Sequence, residues 1–296
     1  MIFPITVPAI VATQPAFHVF AEQEVNVVSD IAYYEGADSD AKNHKLDIYT
    51  PKGLKDFPVV FFIHGGTWSS GDRKMYGNMG QMFASQGIGV VVISYRLSPA
   101  VTHPAHIEDV ARAFAWTHAN IAKYGGRADR IFVAGHSAGG HLTSLLAANP
   151  EYLKKHNLSS KNIRGIIPIS GVYDIPAGMF PKIFPGTADA LKPASPVKNL
   201  TAGGPPALVI YADQDYAGLD LLAKQYTAKL GELKTQATLE LIKDRTHITI
   251  ITTMTMMTIL SIPETGSPVL NCYSSHIKWL KCKSNCIFLK YYFTSR

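Results

Sequence analysis

Short runs of consecutive apolar residues recur along the chain, and most are rich in valine and isoleucine and end at turn residues. Such runs are typical of strands that are covered on both faces of a sheet. Two segments nearer the N-terminus, "VNVVSDIAYY" and "HKLDIYTP", alternate enough to predict an antiparallel edge hairpin. The runs that predict the other strands are "FPVVFFIHGG", "IGVVVISYR", "RIFVAG", "IRGIIPISG", "PPALVIYAD" and, last, "ATLELIK".

Segments with helical periodicity separate these runs, at residues 75–86, 105–124, 138–148 and 219–230. Strands that alternate with helices indicate a parallel sheet with crossover connections. The predicted fold class is therefore α/β, with a mostly parallel central sheet and helices on both faces. No linker divides the 296 residues, so we expect one domain over residues 25–280.

The two ends of the chain differ from this expected domain. Residues 1–24 are apolar, lack Lys and Arg and contain prolines, so an N-terminal arm and a degenerate signal segment both stay open, as do a cytoplasmic and an exported location. Residues 281–296 form a basic tail. Cys272, Cys282, Cys286 and His276 could supply a zinc set, but a tail with free thiols is the favoured interpretation, and no metal or cofactor is predicted.

The formal net charge of +6 is unevenly distributed. Five of the 28 Lys and Arg residues follow Glu264, where no Asp or Glu remains, so up to that position 23 basic residues balance 22 acidic ones. Nucleic-acid binding would require a basic patch within the body of the protein. We therefore expect no nucleic-acid partner. We also expect no transmembrane segment, because no apolar run reaches the roughly 18 residues that span a bilayer.

A glycine-lined turn that holds Ser137 joins a predicted strand to a predicted helix in "RIFVAGHSAGGHLTSLLAANP". The pentapeptide "GHSAG" fits G-x-S-x-G, in which the serine occupies a strained strand-to-helix turn. Gly135 and Gly139 would leave the space that a close approach of strand and helix needs. The hydroxyl would lie at a helix N-terminus, where negative charge is favoured. For this motif alone, a glycine-rich turn without chemistry stays an alternative.

A second motif, "HGGTW", follows an earlier predicted strand. Acyl transfer builds a negative charge on the substrate oxygen, which preorganised donors must stabilise. Gly65 and Gly66 leave backbone N–H groups accessible, and Ala138 supplies another from the start of the helix. A tight turn would explain "HGG" by itself, but two such motifs, each at the end of a predicted strand, argue against coincidence.

Four segments together resemble the α/β-hydrolase superfamily, over about residues 31–268: "HGGTWSSGDRK", "SYRLSP", "HPAHIEDVARAFAWTHANIAKYGGRADRIFVAGHSAGGHL" and "YADQDYAGLD". They are most similar to its carboxylesterase and feruloyl-esterase-like (BD-FAE-like) branch, which neighbours the kynurenine formamidases. The resemblance implies Ser137 as the nucleophile and Gly65, Gly66 and Ala138 as the oxyanion hole. The segment between Asp174 and Pro205 is too short for a large cap domain, so a small cap or none is expected.

The resemblance places the acid of a catalytic triad after the strand "ALVIYADQD". Asp213 and Asp215 both lie there, and the family pattern G-x-x-D, with Ala212 in place of the glycine, favours Asp215. Asp174, one strand earlier, is a further alternative, because related hydrolases sometimes carry the acid at that place.

The base must follow the last strand, and "LELIKDRTHITII" places His247 in that loop. The chain order Ser137, Asp215, His247 matches the superfamily. A neutral imidazole would take the serine proton and later protonate the leaving group, while the carboxylate fixes the tautomer. A Thr/Met/Ile run then departs from the family pattern before a predicted closing helix. Structural roles are expected for the other histidines of the motifs, which are His64, His103, His106, His136 and His141.

The predicted function is a serine hydrolase that cleaves small or medium carboxylic esters through an acyl-enzyme intermediate. Its partner would be a small-molecule ester, and its oligomeric state stays open. An aryl formamidase of the kynurenine type and a catalytically silent, ligand-binding member of the fold are the alternatives. Candidate pocket residues, for which plain packing is the competing interpretation, are Trp68, Met179, Phe180 and Phe184.

Overall fold

A computed structural model describes residues 23–252, in which eight strands form one sheet. The strand order is β1-β2-β4-β3-β5-β6-β7-β8. The first hairpin is antiparallel, β2 is also antiparallel to β4, and the other neighbours run parallel. The strands are β1 (Val25–Ala32), β2 (Lys45–Pro51), β3 (Phe57–Ile63), β4 (Gly89–Ile93), β5 (Gly126–His136), β6 (Gly165–Ile169), β7 (Ala207–Gln214) and β8 (Ala237–Thr246).

Helices cover both faces of the sheet, as the alternation of strands and helices predicts. One face packs against α2, α3 and α6, and the other packs against α1 and α7. Every residue of β4 and β6 is buried, which explains why those strands are continuous apolar runs. The α-helices are α1 (Gly77–Ser85), α2 (Ala105–Asn120), α3 (Ala138–Ala148), α4 (Pro150–Lys154), α5 (Pro196–Asn199), α6 (Leu219–Glu232) and α7 (Thr249–Thr252).

Two predicted helices are divided in the structure. The first begins as a 3₁₀ turn, Arg73–Tyr76, because the Asp72 side chain accepts a hydrogen bond from the Lys74 amide, and the α-helix starts only at Gly77. The second ends as an α-helix at Asn120 and continues as a 3₁₀ turn, Ile121–Tyr124, up to Gly125. That glycine adopts a left-handed conformation with φ of 89°, which terminates the helix.

The connection between β6 and β7 holds only the 3₁₀ turn Lys192–Ala194 and the four-residue α5, so the prediction of a small cap is confirmed. A further 3₁₀ turn is Ser160–Asn162. Within residues 23–252, no helix is long and apolar enough to cross a membrane. The predicted closing helix, most of the Thr/Met/Ile run, the three cysteines and the basic tail lie outside the described residues.

Each candidate catalytic residue follows the carboxyl end of a strand. Gly65 and Gly66 follow β3, Ser137 follows β5, Asp215 follows β7 and His247 follows β8. All four strands are parallel members of the sheet, so their carboxyl ends meet at one edge. Open α/β sheets bind their ligands at this edge.

Candidate active site

The turn between β5 and α3 holds Ser137 in a backbone conformation that non-glycine residues rarely adopt. Its φ is 56° and its ψ is −116°. The Ser137 amide donates to the Ile169 carbonyl at 2.8 Å, and the Ser137 carbonyl accepts from the His141 amide at 3.0 Å. Hydrogen bonds on both sides therefore hold the strained turn between the neighbouring strand and the first turn of α3.

The glycines around Ser137 allow backbones to touch. A Cβ on Gly139 would lie 2.0 Å from the Ile63 carbonyl oxygen. A Cβ on Gly135 would lie 2.4 Å from the Gly139 carbonyl oxygen. Both distances are shorter than any real carbon contact, so the prediction that these glycines provide space between strand and helix is confirmed.

The three predicted oxyanion-hole residues differ in how their amides are used. The Gly65 amide donates a long hydrogen bond, 3.4 Å, to the Tyr76 hydroxyl. The amides of Gly66 and Ala138 have no acceptor within residues 23–252. A Cβ on Gly65 would lie 3.3 Å from the Ser137 Cβ and 2.9 Å from the His136 carbonyl oxygen. Gly65 thus leaves room beside the serine, while the N–H groups of Gly66 and Ala138 have no acceptor in the part of the chain that the structure describes.

The structure brings His247 and Asp215 together. The Nδ1–H of His247 donates to Oδ1 of Asp215 at 2.6 Å, and their side chains are 5% and 2% exposed. Burial opposes ionisation of Asp215, but hydrogen bonds from His247, from the Ser170 hydroxyl and from the Ala212 amide outweigh it and lower the pKa of this carboxyl. Asp215 is therefore a carboxylate at neutral pH, and it fixes the imidazole tautomer with Nδ1 protonated.

The other two candidate acids contact different groups. Asp213 is exposed and accepts hydrogen bonds from the amides of Asp244 and Arg245, at 2.8 and 3.0 Å. Asp174 pairs with Lys198 at 2.7 Å. Of the three carboxylates, Asp215 is the one hydrogen-bonded to His247.

Ser137 is not hydrogen-bonded to the imidazole in this structure. Within residues 23–252, its hydroxyl makes no hydrogen bond. Catalytic hydrogen bonds are often long before substrate binds and tighten only in the reacting complex. The serine and the His247–Asp215 pair nevertheless belong to one edge of the sheet, since His136, the residue before Ser137, contacts His247 directly.

Three residues next to the site make contacts that the sequence analysis did not predict. His136 donates from Nε2 to the His247 carbonyl oxygen at 2.8 Å. The Tyr216 ring stacks on the His247 imidazole, with centroids 4.1 Å apart. Ser170 donates to Asp215. His136 and Tyr216 adjoin the predicted nucleophile and acid in sequence, but their partners lie 111 and 31 positions away, beyond the reach of local patterns.

Two of the other motif histidines, His64 and His141, make structural contacts. His64 stacks on Tyr95 and lies 2.7 Å from the Gly65 carbonyl oxygen, and burial lowers its pKa to about 4. His141 donates to the Ala194 carbonyl at 2.8 Å and accepts from the Trp68 indole at 3.2 Å. Burial lowers the pKa of His141 to about 3, so it stays neutral. The described part of the chain contains no group of three or more side chains that could hold a metal ion.

Comparison with known proteins identifies the family. The sequence profile of the BD-FAE family matches residues 46–218, more than half of the chain. This chain belongs to the BD-FAE family. The matched range includes both glycine motifs, Ser137 and Asp215, and it ends before His247. The resemblance to this branch of the hydrolases is confirmed, whereas proximity to the kynurenine formamidases stays a prediction.

Relatives of this BD-FAE member include two proteins of Mycobacterium tuberculosis. The chain is 34% identical over 208 residues to the probable carboxylic ester hydrolase LipM, and the matched region covers 63% of this chain and 47% of LipM. It is 33% identical over 225 residues to the esterase LipQ, and the matched region covers 69% of this chain and 52% of LipQ. The chain thus spans about half the length of the curated relatives it matches.

Solved structures support the fold of the BD-FAE member. Esterase B from Lactobacillus rhamnosis superposes with a TM-score of 0.66 and 23% identity, over 78% of this chain and 80% of that one. The thermostable carboxylesterase EstE1, cloned from a metagenomic library, gives a TM-score of 0.64 and 22% identity, over 77% and 81% of the two chains. The α/β-hydrolase fold is confirmed.

The predicted pocket residues of this BD-FAE member divide into two groups. Trp68 and Phe184 are each only 1% exposed and pack edge to face, with centroids 4.9 Å apart. Both rings therefore pack within the loops of this structure, and their place in the wall of a substrate pocket stays a prediction. Met179 and Phe180 are 36% and 38% exposed, and the Phe180 ring covers Trp68 with centroids 5.4 Å apart.

Proposed function

We propose that this protein is a serine esterase that hydrolyses small or medium carboxylic esters, with Ser137 as nucleophile, His247 as base and Asp215 as acid. The observation that carries the proposal is the 2.6 Å hydrogen bond between His247 and Asp215, on the same sheet edge as the strained Ser137 turn. The relatives named as carboxylic ester hydrolase and esterase support the same chemistry.

The tautomer of His247 determines the proton path. Because Nδ1–H donates to Asp215, Nε2 carries the lone pair that can accept the Ser137 proton. The serine oxygen attacks the ester carbonyl carbon, and the bond to the alcohol oxygen breaks as Nε2–H returns the proton to that oxygen. Water then attacks the acyl-enzyme with the same base, which releases the acid and restores Ser137.

The oxyanion would be stabilised by the amides of Gly66 and Ala138. Both lack an acceptor within the described residues, and Ala138 opens α3, where the helix dipole favours negative charge. The main role of Gly65 would be to leave room beside Ser137, because its own amide already donates to the Tyr76 hydroxyl. This division refines the prediction that all three residues donate.

The short connection between β6 and β7 supports the proposal that the substrates are small or medium esters. Its exposed apolar residues, Met179 and Phe180, could contact an acyl or alcohol group, whereas Trp68 is covered. Because residues 23–252 contain no large cap, the edge of the sheet would be accessible to compact esters, and long triglycerides are not expected as substrates.

The test compares the wild type with Ser137→Ala on chromogenic short-chain esters. A fluorophosphonate probe should label Ser137, located by mass spectrometry, and label nothing in the variant. Ser144→Ala is a matched control, because Ser144 is buried in α3, the helix that follows Ser137, and donates to the Gly140 carbonyl. Activity on N-formyl aryl amides but not on esters would favour the formamidase alternative. A folded wild type without either activity would contradict the proposal and favour a silent ligand-binding role.

A further inference from the structure

His136 links the turn that holds the serine to the loop that holds the imidazole. It is the last residue of β5 and directly precedes Ser137. Its Nε2 lies 2.8 Å from the His247 carbonyl oxygen, and the two rings have centroids 4.8 Å apart at an interplanar angle of 42°. A carbonyl oxygen can only accept a hydrogen bond, so Nε2 of His136 must carry the proton.

The same imidazole also adjoins the first glycine of the oxyanion loop. A Cβ on Gly65 would lie 3.1 Å from Nδ1 of His136. His136 is 6% exposed, so this side chain fills the space between the two loops that flank the serine. A residue of different length or polarity there would change the contact with both loops.

The loop that holds His247 requires such a contact. It follows β8, which is the outermost strand of the described sheet and pairs only with β7 there. Asp215 holds the Nδ1 end of the ring and Tyr216 stacks on its face, but both of these contacts are to the side chain. The hydrogen bond from His136 holds the backbone carbonyl of the same residue, and so limits how far the ring can tilt with its backbone.

We propose that His136 is a positioning residue, whose Nε2–H holds the His247 carbonyl and thereby directs the His247 imidazole toward Ser137. This inference rests on the proposed function, because it assigns a role within the same reaction. His136 takes no part in bond making. It also remains a neutral donor, since burial and the neighbouring His247 lower its pKa to about 4.

Two nearly isosteric variants separate the hydrogen bond from packing. His136→Gln keeps an N–H donor at the reach of Nε2, whereas His136→Met matches glutamine in length and lacks the donor. Misplacement of a catalytic group by about 1 Å costs roughly 100-fold in rate. We expect His136→Met to lower kcat by roughly 10- to 100-fold with KM within about 3-fold. His136→Gln should recover most of the lost kcat.

The readouts distinguish positioning from general damage. Thermal unfolding of both variants reports the fold, and the far-downfield proton resonance of His247 Nδ1–H reports the bond to Asp215. That resonance should persist in His136→Gln and exchange faster with solvent in His136→Met. A wild-type kcat in His136→Met overturns the proposal, and so does an equal loss in the two variants, which would assign the effect to shape.

A measurement on the unmodified protein keeps the proposal testable if His136→Met does not fold. Nitrogen-15 chemical shifts should show His136 as the Nε2–H tautomer between about pH 5 and pH 8. The Nδ1–H tautomer would overturn the proposal. An inactive wild type would contradict the proposed function alone, because the tautomer and the His247 proton resonance report the hydrogen bond from His136 without turnover.

Discussion

The turn that holds Ser137 and the loop that holds His247 both join a strand to a helix, but they are built differently. The Ser137 turn follows β5, in the interior of the sheet, and backbone contacts at Gly135 and Gly139 fix it. The His247 loop follows the outer strand β8, and side chains from distant parts of the sequence fix it. Backbone contacts therefore hold the proposed nucleophile in place, whereas a few side-chain hydrogen bonds hold the proposed base.

This difference predicts where substitutions will reduce activity and where they will reduce stability. Near Ser137, added atoms should be destabilising because no space is available for them. Near His247, loss of a single partner should reduce activity while most of the packing is kept.

The largest effect that we expect tests the His247 loop. Asp215→Asn should lower kcat by roughly 10⁴-fold, because the amide no longer stabilises the protonated imidazole or its correct tautomer. Asp213→Asn and Asp174→Asn are matched controls, since Asp213 accepts from the backbone amides of Asp244 and Arg245 and Asp174 pairs with Lys198. Steady-state kinetics on a short-chain ester measures all three variants. A larger loss of kcat in Asp213→Asn would show that Asp213, and not Asp215, is the acid.

The lowered pKa of Asp215 predicts a pH dependence of stability. A carboxyl whose pKa is lower in the folded state stabilises the protein above its unfolded pKa of about 4, and this contribution is lost as the pH falls through the folded value. Wild type and Asp215→Asn should therefore differ most in free energy of unfolding at neutral pH and converge in acid. Urea titrations at several pH values measure this difference in the free energy of unfolding. A difference that does not change with pH would contradict a lowered pKa for Asp215.

The next effect tests the Ser137 turn. Gly139→Ala places a Cβ 2.0 Å from the Ile63 carbonyl and 2.7 Å from the His64 carbonyl, so strand or helix must move. We expect a loss of about 3 kcal/mol in the free energy of unfolding. Gly231→Ala in α6 is the control, because its Cβ would meet nothing within 4 Å and alanine favours a helix by up to about 1 kcal/mol. If chemical denaturation gives the same change in the free energy of unfolding for both variants, the close approach of Gly139 to Ile63 does not restrict the size of the residue there.

The same difference explains what the sequence could predict. Strand runs and the glycine motifs around Ser137 are encoded by residues that adjoin one another, whereas the choice of Asp215 over Asp213 and Asp174 comes from the family resemblance. The hydrogen bond from His136 to His247 joins residues 111 positions apart, and the burial of Trp68 depends on Phe180 and Phe184. Periodicity and turn chemistry describe neighbours along the chain, so they could not show these contacts.

A smaller effect is expected from Tyr216, which stacks on the imidazole while it is 62% exposed. Aromatic contacts of this kind contribute about 0.5–1.5 kcal/mol, so Tyr216→Ala should lower kcat by roughly 2- to 10-fold. Tyr216→Phe keeps the ring and should remain within about 2-fold of the wild type. Ile248→Ala is a control, because Ile248 adjoins His247 and is also 62% exposed. If Ile248→Ala lowers kcat as much as Tyr216→Ala does, the loss in Tyr216→Ala is not due to stacking on His247.

The smallest effect compares the two backbones directly. Ser137 has a positive φ and His247 does not, so of these two residues only Ser137 has a strained backbone. Ser137→Gly should relieve strain of about 1–3 kcal/mol, partly offset by about 0.4–1 kcal/mol of added freedom in the unfolded chain. We expect it to be inactive and about 1 kcal/mol more stable than Ser137→Ala, which keeps a Cβ. His247→Gly should gain nothing, because it loses the bond to Asp215 without relieving strain. Urea denaturation of these variants measures the differences, and equal stability of Ser137→Gly and Ser137→Ala would mean that other contacts compensate the strain at the turn.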